Sequence, residues 1–112
     1  MGKRGESGVW RGSSLKVRYT TEAASLIRKL HPEIKRLVRQ AVRDLLDNPL
    51  IGYELRLNLS GFRSYRVKGY RVLYQINDRD GFLEIYYVGR RRDVYESFRA
   101  FLAEKKPDQQ LT

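Results

Sequence analysis

The chain of 112 residues has no cysteine, one histidine, one methionine, one tryptophan and three prolines. Without cysteine there can be no disulfide framework, thiolate zinc site or cysteine nucleophile. His31 alone cannot build a histidine metal cluster, so neither a metal nor another cofactor is expected. No apolar run approaches the length of about 20 residues that spans a bilayer, and the N-terminus lacks the apolar stretch of a secretory signal. A soluble cytoplasmic protein with no membrane partner is the default expectation. Negative charge is also scarce: 13 Asp+Glu stand against 23 Lys+Arg, a formal charge of +10. On one small domain this excess favours a polyanionic partner, with nucleic acid ahead of an anionic membrane. A basic surface that only aids solubility is the plainer alternative.

What is present is patterned. Residues Met1 to Ser14 hold four of the nine glycines and three serines, with Trp10 as the only sizeable anchor. They read as a flexible basic tail, 1–14, outside the fold. Leu15, Val17 and Tyr19 alternate with Lys16 and Arg18, as in a half-buried strand. Thr20 or Thr21 can cap a helix whose first turn holds Glu22. His31-Pro32 ends it and opens a second helix, with Pro32 at its first position and His31 as a cap or interhelix residue. That second helix carries one apolar stripe of Ile34, Leu37, Val38, Ala41, Val42, Leu45 and Leu46, and Asn48-Pro49 stops it. From Tyr53 the period changes to two. Leu55, Leu57 and Leu59 alternate as in a strand up to Ser60-Gly61, and further strands are expected over Ser64–Val67, Tyr70–Ile76 and Leu83–Val88. Lys68-Gly69 is a two-residue hairpin connection. Asp93, with Glu96 three residues on, resembles a capping box that opens a last helix ending near Lys106-Pro107. The expected fold is a small α+β domain over 15–106, followed by a C-terminal tail over 107–112. Its order is β-α-α-β-β-β-α, with an antiparallel sheet, the helical hairpin on one face and a short C-terminal helix.

The hairpin makes a specific demand. With Lys68 and Gly69 as its loop, Val67 pairs with Tyr70 and Arg66 with Arg71. Tyr65, Val67, Tyr70, Val72 and Tyr74 then share the face under the helices, and the two arginines oppose each other on the other face. Like charges in such a position are destabilising, so the pair requires either an anion or a compensating carboxylate, for which Glu84 on the next strand is available. Arg90, Arg91 and Arg92 leave the last strand nearby, and Tyr95 begins the last helix. With Arg63 and Lys68, these residues could converge on a phosphate and a base, since guanidiniums grip phosphate bidentately and a phenol stacks on bases. There is no paired carboxylate or histidine acid–base set. Phosphodiester cleavage here would use the RNA 2′-hydroxyl as nucleophile, and its base at neutral pH would have to be a lysine among cationic neighbours.

Three runs, Leu59-Ser60-Gly61-Phe62-Arg63-Ser64-Tyr65-Arg66-Val67, Tyr70-Arg71-Val72-Leu73-Tyr74 and Val88-Gly89-Arg90-Arg91-Arg92-Asp93-Val94-Tyr95, resemble the RelE branch of the RelE/ParE toxin superfamily. The resemblance extends over about Leu15 to Phe101. It implies a type II toxin, neutralised by a cognate antitoxin, that cleaves mRNA in the ribosomal A site through the 2′-hydroxyl without metal. By position, Arg71 matches the arginine that stabilises transition-state charge, and Arg91 the arginine that assists the leaving group. Tyr95 matches the tyrosine that stacks on and orients the substrate. The two family lysines fall on Arg66 and Lys68, which makes Lys68 the candidate general base and Arg66 a phosphate-gripping residue. Arg63, Arg90 and Arg92 are further candidates for phosphate contact. A gyrase poison without nuclease chemistry and a non-catalytic basic domain that binds RNA or antitoxin are the alternatives.

Overall fold

The computed structural model describes residues 15–91 and 93–104. The expected tails over 1–14 and 107–112, and Arg92, lie outside the described residues. The chain runs β1 (Lys16–Tyr19), α1 (Thr21–Arg28), α2 (Pro32–Asp47), β2 (Tyr53–Glu54), β3 (Arg63–Val67), β4 (Tyr70–Asn77), β5 (Phe82–Arg90) and α3 (Asp93–Glu104), with 3₁₀ turns at Pro49–Ile51 and Leu57–Leu59. No helix of the described residues is long and apolar enough to cross a membrane.

The helix boundaries follow from local chemistry. Thr20 Oγ1 accepts from the Ala23 amide at 3.0 Å and caps α1. His31 Nδ1 accepts from the Glu33 amide at 3.1 Å and caps α2, with Pro32 where its missing N–H costs nothing. The lone histidine is thus a cap, as its position beside Pro32 suggests.

The five strands form one sheet in the order β1-β5-β4-β3-β2. The expected α+β architecture is present, with four strands after the helical hairpin where the order β-α-α-β-β-β-α counts three. There is one difference in pairing: β1 joins β5 in parallel, Val17 beside Leu83 and Arg18 beside Glu84. Connectivity accounts for it. The two antiparallel helices return the chain so that β2 runs opposite to β1. Three further reversals then bring β5 back parallel to β1 on the far side of the sheet. Strand periodicity carries no information about this closure.

The expected strand through Leu55, Leu57 and Leu59 is also corrected. Ladder pairing with β3 covers only Tyr53 with Ser64 and Glu54 with Arg63. The chain then has to reverse before β3, and a bond from the Leu55 amide to the Phe62 carbonyl (2.9 Å) closes the loop. Leu55 and Leu59 both pack beneath α3, whereas Leu57 sits at φ 56° and is 88% exposed. Alternating leucines therefore describe a loop whose apolar residues are placed by tertiary contacts.

Each sheet face has its own core. The α1–α2 hairpin covers one face, where Ala23, Val38, Ala41, Val42 and Leu45 meet Val67, Val72, Tyr74, Leu83, Ile85 and Val88, with Tyr65 and Tyr70 packed alongside. This is the face the hairpin register assigns to the helices. Truncating a fully buried leucine such as Leu45 to alanine costs about 2–5 kcal/mol. Helix α3 covers part of the other face, placing Val94 and Phe98 on Leu59, Leu73 and Tyr86. Gly89 permits that approach, because a Cβ there would stand 2.8 Å from Val94 Cγ2.

Candidate active site

The β3–β4 hairpin has the pairing its sequence requires: Val67 opposite Tyr70 and Arg66 opposite Arg71. Side chains of directly opposed residues have Cβ atoms about 5 Å apart, so both arginines leave the sheet at this spot. Lys68 takes φ 55°, the left-handed conformation that primed two-residue turns require. A lysine held there is strained, and such strain collects at functional sites.

Glu84 does not compensate the pair. It is 3% exposed, accepts from Arg18 Nη2 across the β1–β5 pairing, and accepts from Asn77 Nδ2 at 3.3 Å. It therefore sits at the far end of the face, committed to another arginine. Among the described residues no carboxylate comes within ion-pairing distance of Arg66 or Arg71. Arg71 donates from Nη1 to the Tyr70 carbonyl at 3.1 Å, which orients its half-buried guanidinium without neutralising it.

The end of β5 brings a third arginine to the hairpin tip. The Arg91 amide donates to the Gly69 carbonyl at 2.8 Å, and Arg91 itself takes φ 39°. A Cβ on Gly69 would stand 3.8 Å from Arg91 Nε, so this side chain lies against the turn that carries Lys68. The backbone hydrogen bond thus ties Arg91, one left-handed residue, to Gly69, the neighbour of Lys68, the other. Helix α3 begins immediately afterwards, with the Val94 amide 3.3 Å from the Arg91 carbonyl. It sets Tyr95 against the sheet, where the phenol oxygen lies 2.9 Å from Ser64 Oγ. Ser64 and Arg66 are two residues apart in one strand and face the same way. Tyr95 therefore stands beside the arginine pair.

Two sequence candidates are placed elsewhere. Arg63 lies on the helical-hairpin side, where it donates to the Leu50 carbonyl (3.1 Å), the Gly52 carbonyl (2.8 Å) and Tyr74 Oη (3.4 Å), with Glu54 at 3.6 Å. Its donors hold the turn after α2, together with Tyr74 Oη, which donates to the Pro49 carbonyl at 2.6 Å. Arg63 clamps that turn, away from the Arg66–Arg71 face. Arg90 pairs with Tyr70 on β4 and lies over that ring at 5.6 Å, on the face opposite Arg66 and Arg71. The structure thus gathers Arg66, Lys68, Arg71, Arg91 and Tyr95, and leaves out Arg63 and Arg90. Ser64 was not singled out by sequence reasoning. A serine on the arginine face of its strand, two residues before Arg66, was the available signal.

This fold, an α1–α2 hairpin on a five-stranded sheet, is shared with toxins of known toxin–antitoxin pairs. The family described as "ParE toxin of type II toxin-antitoxin system, parDE" matches residues 17–95. Toxin RelG of Mycobacterium tuberculosis is 41% identical over 81 residues, covering 70% of this chain and 93% of that protein. The crystal structure of the RelBE2 toxin–antitoxin complex from the same organism matches at 39% identity and a TM-score of 0.64, covering 70% of this chain and 99% of the other. The isolated E. coli RelE toxin shares the fold at 18% identity and a TM-score of 0.60, covering 77% and 96% of the two chains. The chain belongs to the ParE toxin family of type II toxin–antitoxin systems, and within it is a RelE-like toxin.

Proposed function

We propose that this toxin is a ribosome-dependent mRNA endonuclease that cleaves through the RNA 2′-hydroxyl without a metal ion. The observation that carries the reading is the unneutralised Arg66–Arg71 pair, with Arg91 at the hairpin tip and Tyr95 on the same face. A fold keeps two opposed guanidiniums without a carboxylate where an anion is to be bound. Guanidiniums and an ammonium repel a divalent cation, so the donor set suits substrate phosphate rather than metal.

In this reading Arg66 grips the scissile phosphate. The 2′-oxygen attacks phosphorus as its proton passes to Lys68, and Arg71 stabilises the charge on the non-bridging oxygens of the phosphorane-like transition state. The 5′-oxygen leaves with Arg91 stabilising its developing charge and takes its proton from water, since arginine holds its own proton too firmly to give it up. Tyr95 stacks on the neighbouring base and fixes its orientation. Arg92 remains a candidate for phosphate contact.

A cognate antitoxin is the expected second partner. The mycobacterial relative of known structure is a toxin–antitoxin complex. This chain has a suitable surface, a cleft of about 240 Å³ lined by Tyr19, Ala24, Ile27 and Val38 and rimmed by Arg28, Lys35 and Arg39. An acidic amphipathic segment that folds on binding fits apolar walls with a basic rim.

The second reading is a gyrase poison acting by binding alone; the matching family model carries the ParE name. One purified preparation, assayed for message cleavage on programmed ribosomes and for inhibition of gyrase supercoiling, separates the two. Codon-specific cleavage with supercoiling unaffected is the expected result, and the reverse outcome would overturn the nuclease reading.

A further inference from the structure

Ser64 occupies a position where a polar side chain needs a reason. It lies on β3, one strand in from the sheet edge, paired with Tyr53 on β2 and Leu73 on β4, and is 1% exposed. A buried hydroxyl is costly unless it is hydrogen-bonded, and the bond that satisfies this one is to Tyr95 Oη, at 2.9 Å.

That bond is not what docks α3 on the sheet. Val94 (1% exposed) and Phe98 (0%) already anchor the helix in the core beneath it, with Gly89 admitting Val94 at close range. What those contacts leave undetermined is the direction of the phenol. Tyr95 is only half buried, and apolar contact along one side of its ring sets neither tilt nor reach. A tether at the hydroxyl, the atom farthest from the backbone, has the most leverage over both. Its anchor is stiff, because Ser64 is held by strands on both sides. The anchor is also two residues from Arg66 on the same face, about 6.6 Å along the strand.

Building on the nuclease reading, we infer that Ser64 is a positioning residue for RNA cleavage: its buried hydroxyl holds the Tyr95 phenol beside the Arg66–Arg71 pair. The ring then meets the nucleotide next to the gripped phosphate instead of sweeping across the face. Either oxygen can be the donor. With Ser64 donating, the phenol keeps its own proton for a substrate oxygen.

The test is a double-mutant cycle on single-turnover cleavage of a short message on programmed ribosomes with an open A site. Each rate is normalised to the folded fraction from circular dichroism, so a destabilised variant is still informative. Tyr95→Phe lowers the rate about a hundredfold. Ser64→Ala lowers it about tenfold when Tyr95 is present, as loss of one orienting hydrogen bond does. Ser64→Ala adds nothing in the Tyr95→Phe background, because the hydroxyl it acts through is gone. An equal loss in both backgrounds means that Ser64 serves only the packing of the sheet, and overturns the inference alone. A full rate for Ser64→Ala overturns it as well. No cleavage by the wild type, or a full rate for Tyr95→Phe, overturns the nuclease reading or its site assignment, and this inference with it.

Discussion

The sheet face beneath α3 carries arginine at two ends, and the fold treats the two differently. At one end Arg18 lies opposite Glu84, its guanidinium over the Phe82 ring at 4.0 Å, and the carboxylate also receives a bond from Asn77. At the other end Arg66 lies opposite Arg71, with Arg91 added at the turn. The first end shows that this sheet can neutralise a cation with a partner from the adjacent strand. At the second end the available partner is a third cation. A protein that needed only stability would treat both ends alike, since opposed like charges destabilise a sheet and opposite charges stabilise it by a few tenths of a kcal/mol. The asymmetry is what the proposed reading requires: one end serves the fold, and the other would take an anion from outside the chain.

Substitutions can break this contrast from either side. The largest effects belong to the unpaired end. Arg71→Ala and Arg91→Ala should each lower single-turnover cleavage by about 10²–10³-fold, as loss of a donor to transition-state charge does, with little change in thermal midpoint. Arg71→Glu rebuilds the unpaired end in the image of the paired one. Growth arrest should disappear while stability in urea rises by about 0.5 kcal/mol, so activity and stability move in opposite directions. Glu84→Gln does the converse. It removes the buried carboxylate opposite Arg18, and should cost about 2 kcal/mol in urea unfolding while the cleavage rate per folded molecule stays unchanged. Arg63→Ala, which removes the clamp on the Leu50 and Gly52 carbonyls, should cost about 1–2 kcal/mol and likewise spare the rate. A tenfold lower rate for Arg63→Ala would return that residue to the site.

The smallest effect is a pH dependence of the paired end. Burial, reinforced by the Glu84 charge and opposed by Arg18, pushes the Tyr86 hydroxyl up to about 12. Above pH ~10 the unfolded chain releases this proton while the folded chain keeps it. The folded state then binds more protons, so the contribution is complete below about pH 10 and is lost as pH rises towards about 12. Stability measured across that range should fall less steeply in Tyr86→Phe than in the wild type.

Much of this was legible in the sequence because it depends on near neighbours. Thr20, His31 and Pro32 state helix boundaries through capping chemistry, and Lys68-Gly69 sets the register that opposes Arg66 to Arg71. The parallel pairing of β1 was not legible, because strand patterns say which residues are half-buried and nothing about which strand closes a sheet. Leu55 to Leu59 misled for a related reason: Leu55 and Leu59 make apolar contacts with the α3 cluster, beyond the reach of local pattern, while Leu57 is exposed. Arg63 and Arg90 resemble Arg66 and Arg91 in composition, yet strand parity sends them to the other face. The Ser64–Tyr95 contact joins residues 31 apart and could only be seen once α3 was placed.

The central claim is that the unpaired cationic face takes an RNA phosphate and directs the adjacent 2′-hydroxyl at it. The most direct measurement is cleavage, on programmed ribosomes, of a message carrying a single 2′-deoxy nucleotide at the cleaved position, beside the all-ribose message. The expected result is that the ribose message is cut to leave a 2′,3′-cyclic phosphate and that the deoxy message stays intact. Cleavage of the deoxy message at a comparable rate, or products ending in a free 3′-hydroxyl, would contradict it.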